Sequence, residues 1–197
     1  MVHAQSVKRL TVEQMSVTQH MTLAGQKGET SQLKSQSGIA RIILRYPILD
    51  THMNDIRPWL YIGKYRDTLA PRLLELHRIK AMLQLAEAVP QPGIASLYLP
   101  VEDGEPLPGE LLRQGVDFVL NARQQGQTIL IACGAGQSRS VSFAIAVLKE
   151  AENLPLLVAW QEVKRRQPEA LPHMALWESL CSYYGEPIPF LQICDPA

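Results

Sequence analysis

The stretch from Thr128 to Leu148, T-I-L-I-A-C-G-A-G-Q-S-R-S-V-S-F-A-I-A-V-L, leaves few folds open to this chain. The apolar run Ile129 to Ala132 has the length of a buried strand and stops abruptly at Cys133. Gly134, Ala135, Gly136, Gln137, Ser138 and Arg139 follow. After Ser140 the apolar spacing turns helical, with Val141, Ile145 and Leu148 on one face and Ala144 beside them. The pattern therefore sets a thiol at the tip of a strand, and a loop of small residues carries the chain from it into a helix N-terminus.

Such a loop has a definite chemistry. Gly134 and Gly136 permit backbone angles that point successive N–H groups inward. The first N–H groups of a helix have no internal partner and carry partial positive charge. Together these groups make an anion site of about phosphate size. Cys133, at the bottom of that cradle, is expected partly as thiolate, the form that helix N-termini and cations favour. Arg139 offers a planar fork to two phosphate oxygens. A thiolate under a bound phosphate is a nucleophile aimed at phosphorus. Ser140 is placed to donate a hydrogen bond to the sulfur when it leaves.

Cys133, five intervening residues, Arg139 and Ser140 resemble the signature loop of cysteine-dependent protein phosphatases. Ala135-Gly136 and Ser138-Arg139-Ser140 are similar to its dual-specificity branch. The resemblance implies a protein-tyrosine-phosphatase-like fold, with Cys133, Arg139, Asp103 and Ser140 in catalysis. It implies phosphate binding by Gly134, Ala135, Gly136, Gln137, Ser138 and Arg139. It implies a phosphocysteine intermediate and no cofactor or metal, Arg139 and the loop amides doing a metal's cationic work. Two positions depart from the family. It usually has His before the cysteine, helping to hold the loop and the thiolate, where this chain has Ala132; it often has Asn where His173 stands.

Upstream, Arg57-Pro58-Trp59-Leu60-Tyr61-Ile62-Gly63 reads as a short strand closed by glycine, and resembles the opening strand of the same family. The spacing of Leu69, Leu73, Leu74 and His77 predicts a helix over 67–78, with His77 at its edge. Residues 81–86 and 95–101 read as buried strands. The second ends in Val101-Glu102-Asp103-Gly104-Glu105-Pro106, an acidic loop. Departure of an alkoxide or phenolate from phosphorus is hard without a proton donor, and a carboxylic acid on a loop at a strand end suits that role. Alternation does not choose among Glu102, Asp103 and Glu105; the resemblance implies Asp103.

Pro108 to Gln124 reads as a helix facing the core through Leu111, Leu112, Val116, Val119 and Leu120. A further helix follows Pro155, with Leu156, Leu157, Trp160 and Val163 inward, and Lys164-Arg165-Arg166 closes it as a solvated, dipole-compensating cluster. Pro172 opens the last helix, with Leu176, Trp177, Leu180 and Tyr184 packing inward. Strands alternating with helices indicate an α/β domain with a central, mainly parallel sheet flanked by helices.

The domain is expected over 39–185. Residues 1–38, rich in Gln, Ser, Thr and Lys, read as a mobile tail, with a weak helix over 11–23 as the other reading. Ile39 to Ile48 reads as an edge strand or a packing arm, and residues 186–197 as an apolar, Pro-rich tail docked on the surface. With 197 residues, 46% of them hydrophobic, the chain supports one sizeable core. Balanced charge, 19 basic and 19 acidic residues, gives no reason to expect nucleic acid or a membrane as partner. Three cysteines make no disulfide framework, and a free Cys133 suits a reducing compartment. No run approaches transmembrane length and the opening residues do not read as a signal peptide, so a cytoplasmic protein is expected. Its partner would be a phosphorylated protein substrate.

Two other functions fit parts of this pattern. Ala132 is the feature that favours a phosphoprotein-binding pseudophosphatase with little turnover; Cys133, Arg139 and Asp103 oppose it. A phosphoinositide or RNA 5′-phosphatase is the other. Lipid-directed relatives often carry Lys inside the loop, and this one has none between Cys133 and Arg139.

Overall fold

The computed structural model describes residues 53–194. The expectations for the tail over 1–38 and the apolar segment 39–48 lie outside the described residues. Residues 128–133 form the middle strand of a five-stranded sheet, because Ile129 to Ala132 present apolar side chains to both faces. The strands are β1 (Asn54–Arg57), β2 (Leu60–Lys64), β3 (Ile79–Gln84), β4 (Ala95–Tyr98) and β5 (Thr128–Cys133), in the order β1-β2-β5-β3-β4. Only β1 runs antiparallel to its neighbour. The register sets Gly63 and Gln84 on either side of Ala132, and Lys64 beside Cys133.

Side chains alternate across β5. Ile129, Ile131 and Cys133 face the larger apolar cluster, while Leu130 and Ala132 face a smaller one with Met53, Leu74, Ile79 and Met82. Beside the smaller cluster lie two short helices, α1 (Tyr65–Thr68) and α2 (Pro71–Leu76). The helix expected over 67–78 is divided here, since Pro71 cannot donate to the turn before it and instead begins a new helix.

The larger cluster is built from α3 (Gly109–Gln124), α4 (Arg139–Glu152), α5 (Leu156–Arg166) and α6 (Met174–Tyr184). In α4 every residue from Ser140 to Leu148 is buried, so the one-sided face read from its spacing understates its position. It is the central helix, covered by its neighbours as well as by the sheet. Close approach of α3 to α4 depends on Gly115, where an added Cβ would lie 2.4 Å from Cε1 of the fully buried Phe143. Gly115→Ala should therefore lower stability by about 1–3 kcal/mol through overpacking. A thermal melt checks this, and an unchanged midpoint would contradict the packing described.

The last described residues join this core. Ile193 of the short helix α7 (Leu191–Cys194) is fully buried, and Trp177 Nε1 donates to Ile188 O at 2.9 Å. The Glu186 carboxylate accepts from Lys149 Nζ and, at 2.8 Å, from the Leu156 N–H at the start of α5. The Lys149 hydrogen bond, helped by that N–H, holds it below the usual carboxylate range. No helix among the described residues is long and apolar enough to cross a membrane.

Candidate active site

Cys133 ends β5 with 2% of its surface exposed, below the loop that runs to α4. Its sulfur has two hydrogen-bond partners. The Gly136 N–H lies 3.3 Å from Sγ, and the Ser140 hydroxyl oxygen 3.2 Å from it. The first contact requires the left-handed backbone of Gly136, whose φ is +74°. A Cβ there would also stand 3.1 Å from Gly63 O, so position 136 admits glycine on two counts.

The loop is tied to three surrounding segments. Gly134 O accepts from Tyr65 N at 3.4 Å, behind β2. Gly136 O accepts from Gln167 Nε2 at 2.6 Å, at the end of α5. Gln137 O accepts from Leu171 N at 3.0 Å, ahead of α6. Ser138 is the N-cap residue of α4 but makes no side-chain cap. Its hydroxyl instead accepts from His173 N at 2.9 Å and donates to Asp103 Oδ1 at 2.6 Å. The first-turn N–H groups of α4 are thus left uncapped by the residue that usually caps them, which keeps them open to an anion.

Arg139 is anchored at one nitrogen. Nη1 donates to Val101 O at 2.9 Å and to Leu85 O at 3.2 Å, Leu85 directly following β3 and Val101 lying three residues past β4. Nε is buried and has no acceptor among the described residues, and Nη2 lies 3.2 Å from where a Cβ on Gly134 would stand. The guanidinium therefore turns its Nε/Nη2 edge toward the loop, the edge that grips two oxygens at once.

The acidic loop meets the cysteine loop through Asp103. Among the described residues, neither Glu102 nor Glu105 makes a hydrogen bond to the cysteine loop; Asp103 makes the one to Ser138. Asp103 stays exposed. Gly104 follows with φ of +94°, facing the His173 ring, where an added Cβ would be 3.7 Å from Cε1 and Nε2. His173, at the family's frequent Asn position, serves this junction twice. Its backbone N–H holds Ser138, and its Nδ1 accepts from Ala175 N at 3.3 Å to cap α6. On the other rim, the Glu87 carboxylate hydrogen-bonded to the Tyr65 hydroxyl pushes that phenol above its usual range.

Ala132 lies on the opposite face of the sheet from Cys133, 2% exposed, within the smaller apolar cluster. The basic run after Val163 is spoken for: Lys164 Nζ donates to Ala170 O, Arg165 pairs with Glu162, and Arg166 stands 3.8 Å from Asp55. Sequence reasoning passed over Gln167. It continues the apolar face of α5 one turn beyond Val163, and a polar residue there, after a cationic run, reads as solvated.

Residues 60–186 match the family model described as dual specificity phosphatase, catalytic domain. Human dual specificity protein phosphatase 16 is 30% identical over 144 residues, 70% of this chain and 21% of the relative. Rat dual specificity protein phosphatase 5 is 28% identical over 140 residues, 68% of this chain and 36% of the relative. This chain thus spans between a fifth and two-fifths of the length of these relatives. Among solved structures, a mouse putative dual specificity phosphatase complexed with zinc tungstate superimposes with a TM-score of 0.65 at 27% identity, covering 70% of this chain and 89% of that one. Human DUSP28 gives 0.64 at 26% identity, covering 73% of this chain and 100% of that one. With its model matched from the second strand to the end of the last long helix, the chain belongs to the dual specificity phosphatase catalytic-domain family.

Proposed function

We propose that this protein hydrolyses phosphorylated side chains of proteins, phosphotyrosine and also phosphoserine or phosphothreonine, through a phosphocysteine at Cys133. The observation that carries the reading is the convergence on one small loop of a nucleophile, a two-point cation and an acid. Cys133 Sγ accepts from Gly136 N–H and sits beside Ser140; Arg139 turns a free edge inward; Asp103 is hooked to Ser138. Family membership supports it, as do the protein phosphatase names of the relatives.

In the first step the Cys133 sulfur attacks phosphorus as the ester P–O bond breaks. The Asp103 carboxyl gives its proton to the leaving oxygen. Arg139 and the loop N–H groups hold the equatorial oxygens as charge moves onto them. In the second step the Asp103 carboxylate takes a proton from water, whose oxygen attacks phosphorus as the P–S bond breaks. The Ser140 hydroxyl, 3.2 Å from the sulfur, is placed to donate to the departing thiolate. Phosphate leaves, and thiolate and protonated acid are restored. A nucleophile of this kind works only while reduced, so the activity belongs in a reducing, cytoplasmic setting. Cys133, Cys181 and Cys194 are all free.

Asp103→Asn tests the assignment through the leaving group. The variant should lose roughly 10²–10⁴-fold on a phosphotyrosine or phosphothreonine peptide, and much less on an aryl phosphate whose phenolate leaves without a proton. Steady-state rates on matched peptides and on the activated ester check this. Equal losses on both would remove Asp103 from proton transfer. The same pattern in Glu102→Gln or Glu105→Gln, with Asp103→Asn silent, would move the role to that acid.

A further inference from the structure

We infer that Gln167 is a positioning residue for oxyanion binding, aiming the loop amides from outside the loop. The inference rests on the reading that the Cys133 loop binds a phosphoryl group. Gln167 closes α5 and is 1% exposed. Its own backbone is held at both ends, N–H to Val163 O at 2.8 Å and carbonyl from Ala170 N at 2.9 Å, so the aim of its side chain is fixed. Nε2 donates to Gly136 O at 2.6 Å.

The consequence follows from peptide geometry. No peptide bond among the described residues is cis, so each C=O and the next N–H point in opposite directions. Drawing Gly136 O toward Gln167 turns the Gln137 N–H the other way, into the loop. The Leu171 N–H does the same one residue on: by taking Gln137 O it turns the Ser138 N–H inward. Gly136 itself points its N–H at Cys133 Sγ. Three consecutive amides are thereby oriented toward one centre, and Gln167 fixes the middle one.

A packing role alone does not account for the residue. Gln167 Oε1 is buried and has no hydrogen-bond partner among the described residues. An unpaired buried amide oxygen is a standing cost that leucine, of similar volume, would avoid. The donor half of the same amide is what the position retains.

The probe is inorganic tungstate, read as protection of Cys133 from iodoacetamide by mass analysis of its peptide. This needs no turnover and separates Cys133 from the exposed Cys194. In Gln167→Leu the half-protecting tungstate concentration should rise about tenfold or more, with circular dichroism unchanged. Gln167→Glu supplies a readout that packing would not move. When protonated, its carboxyl donates to Gly136 O; when ionised, it repels that oxygen, and burial favours the protonated form. Its affinity relative to wild type should therefore recover as pH falls from 8 to 6, while the Gln167→Leu ratio stays flat. Should Gln167→Leu fail to fold, the pH-dependent ratio of Gln167→Glu decides alone. A folded Gln167→Leu with wild-type protection, or a flat Gln167→Glu ratio, would reduce Gln167 to a packing residue. Wild-type Cys133 that millimolar tungstate leaves unprotected would instead overturn the phosphatase reading itself, a distinct failure.

Discussion

Cys133→Ser should abolish phosphomonoester hydrolysis, by roughly 10⁴-fold or more, while leaving oxyanion binding in place. The reason lies in what surrounds the sulfur. Its hydrogen-bond partners are the Gly136 N–H, which donates to it, and the Ser140 hydroxyl, and neither is a strong base. Sulfur attacks phosphorus as thiolate, so the step itself needs no base in contact with it. A serine hydroxyl has no strong base in contact among the described residues to take its proton, so it stays neutral and weakly nucleophilic. The smaller oxygen can keep both partners, and the substitution leaves Arg139 and the loop N–H groups untouched. The variant should therefore still capture a phosphotyrosine peptide. Release of phosphate from an aryl phosphate and titration calorimetry with the peptide check the two halves separately. Turnover within tenfold of wild type would displace Cys133 as nucleophile; lost binding alongside lost turnover would point to a collapsed loop.

The centre of this fold is legible because one short segment must satisfy several demands together. Ile129 to Ala132 are apolar on both faces, as a middle parallel strand requires, and the change of period after Ser140 marks the helix without help from the rest of the chain. Other elements depend on contacts that sequence spacing does not carry. The break at Pro71 outweighs the helical spacing of Leu69, Leu73 and Leu74. Asn54 to Arg57, with Ile56 as their one apolar residue, form β1 because β2 offers a free edge, and Arg57 is fixed there by Glu152, 2.8 Å away. The resemblance points to Asp103 among three acidic neighbours, and its bond to Ser138, 35 positions away, is a contact that spacing does not carry. Gln167 is 31 positions from the carbonyl it holds, and only the fold brings them together. Ala132 shows the converse. It neighbours Cys133 in sequence, yet strand alternation sends its side chain to the other side of the sheet. The Ala132 side chain therefore makes no direct packing contact with the face that holds the sulfur.

Arg139→Lys should cost about 10³-fold in kcat/KM although the charge is conserved, with most of the loss in kcat. Arg139 performs two tasks with one planar group. Nη1 is spent on Val101 O and Leu85 O, which locks the guanidinium to the ends of β3 and of the segment leading to Asp103. On the proposed mechanism the Nε/Nη2 edge grips two phosphoryl oxygens; Nε is buried and has no acceptor among the described residues. A lysine ammonium is a single point. Reaching the carbonyls, it leaves the oxygens ungripped; reaching the oxygens, it leaves two buried carbonyls without a donor and frees the start of the acidic loop. The second choice also disturbs Asp103, since Val101 lies two residues before it. The loss should consequently be larger on a phosphothreonine peptide, which needs the acid, than on an activated aryl phosphate. Tungstate affinity should fall far less than kcat/KM, because charge attraction survives while the two-point hold on the transition state does not. Steady-state kinetics on both substrates, together with tungstate titration, separate these effects. Activity within tenfold of wild type would mean that charge alone suffices and that the free edge of Arg139 does not meet the transferring phosphoryl group.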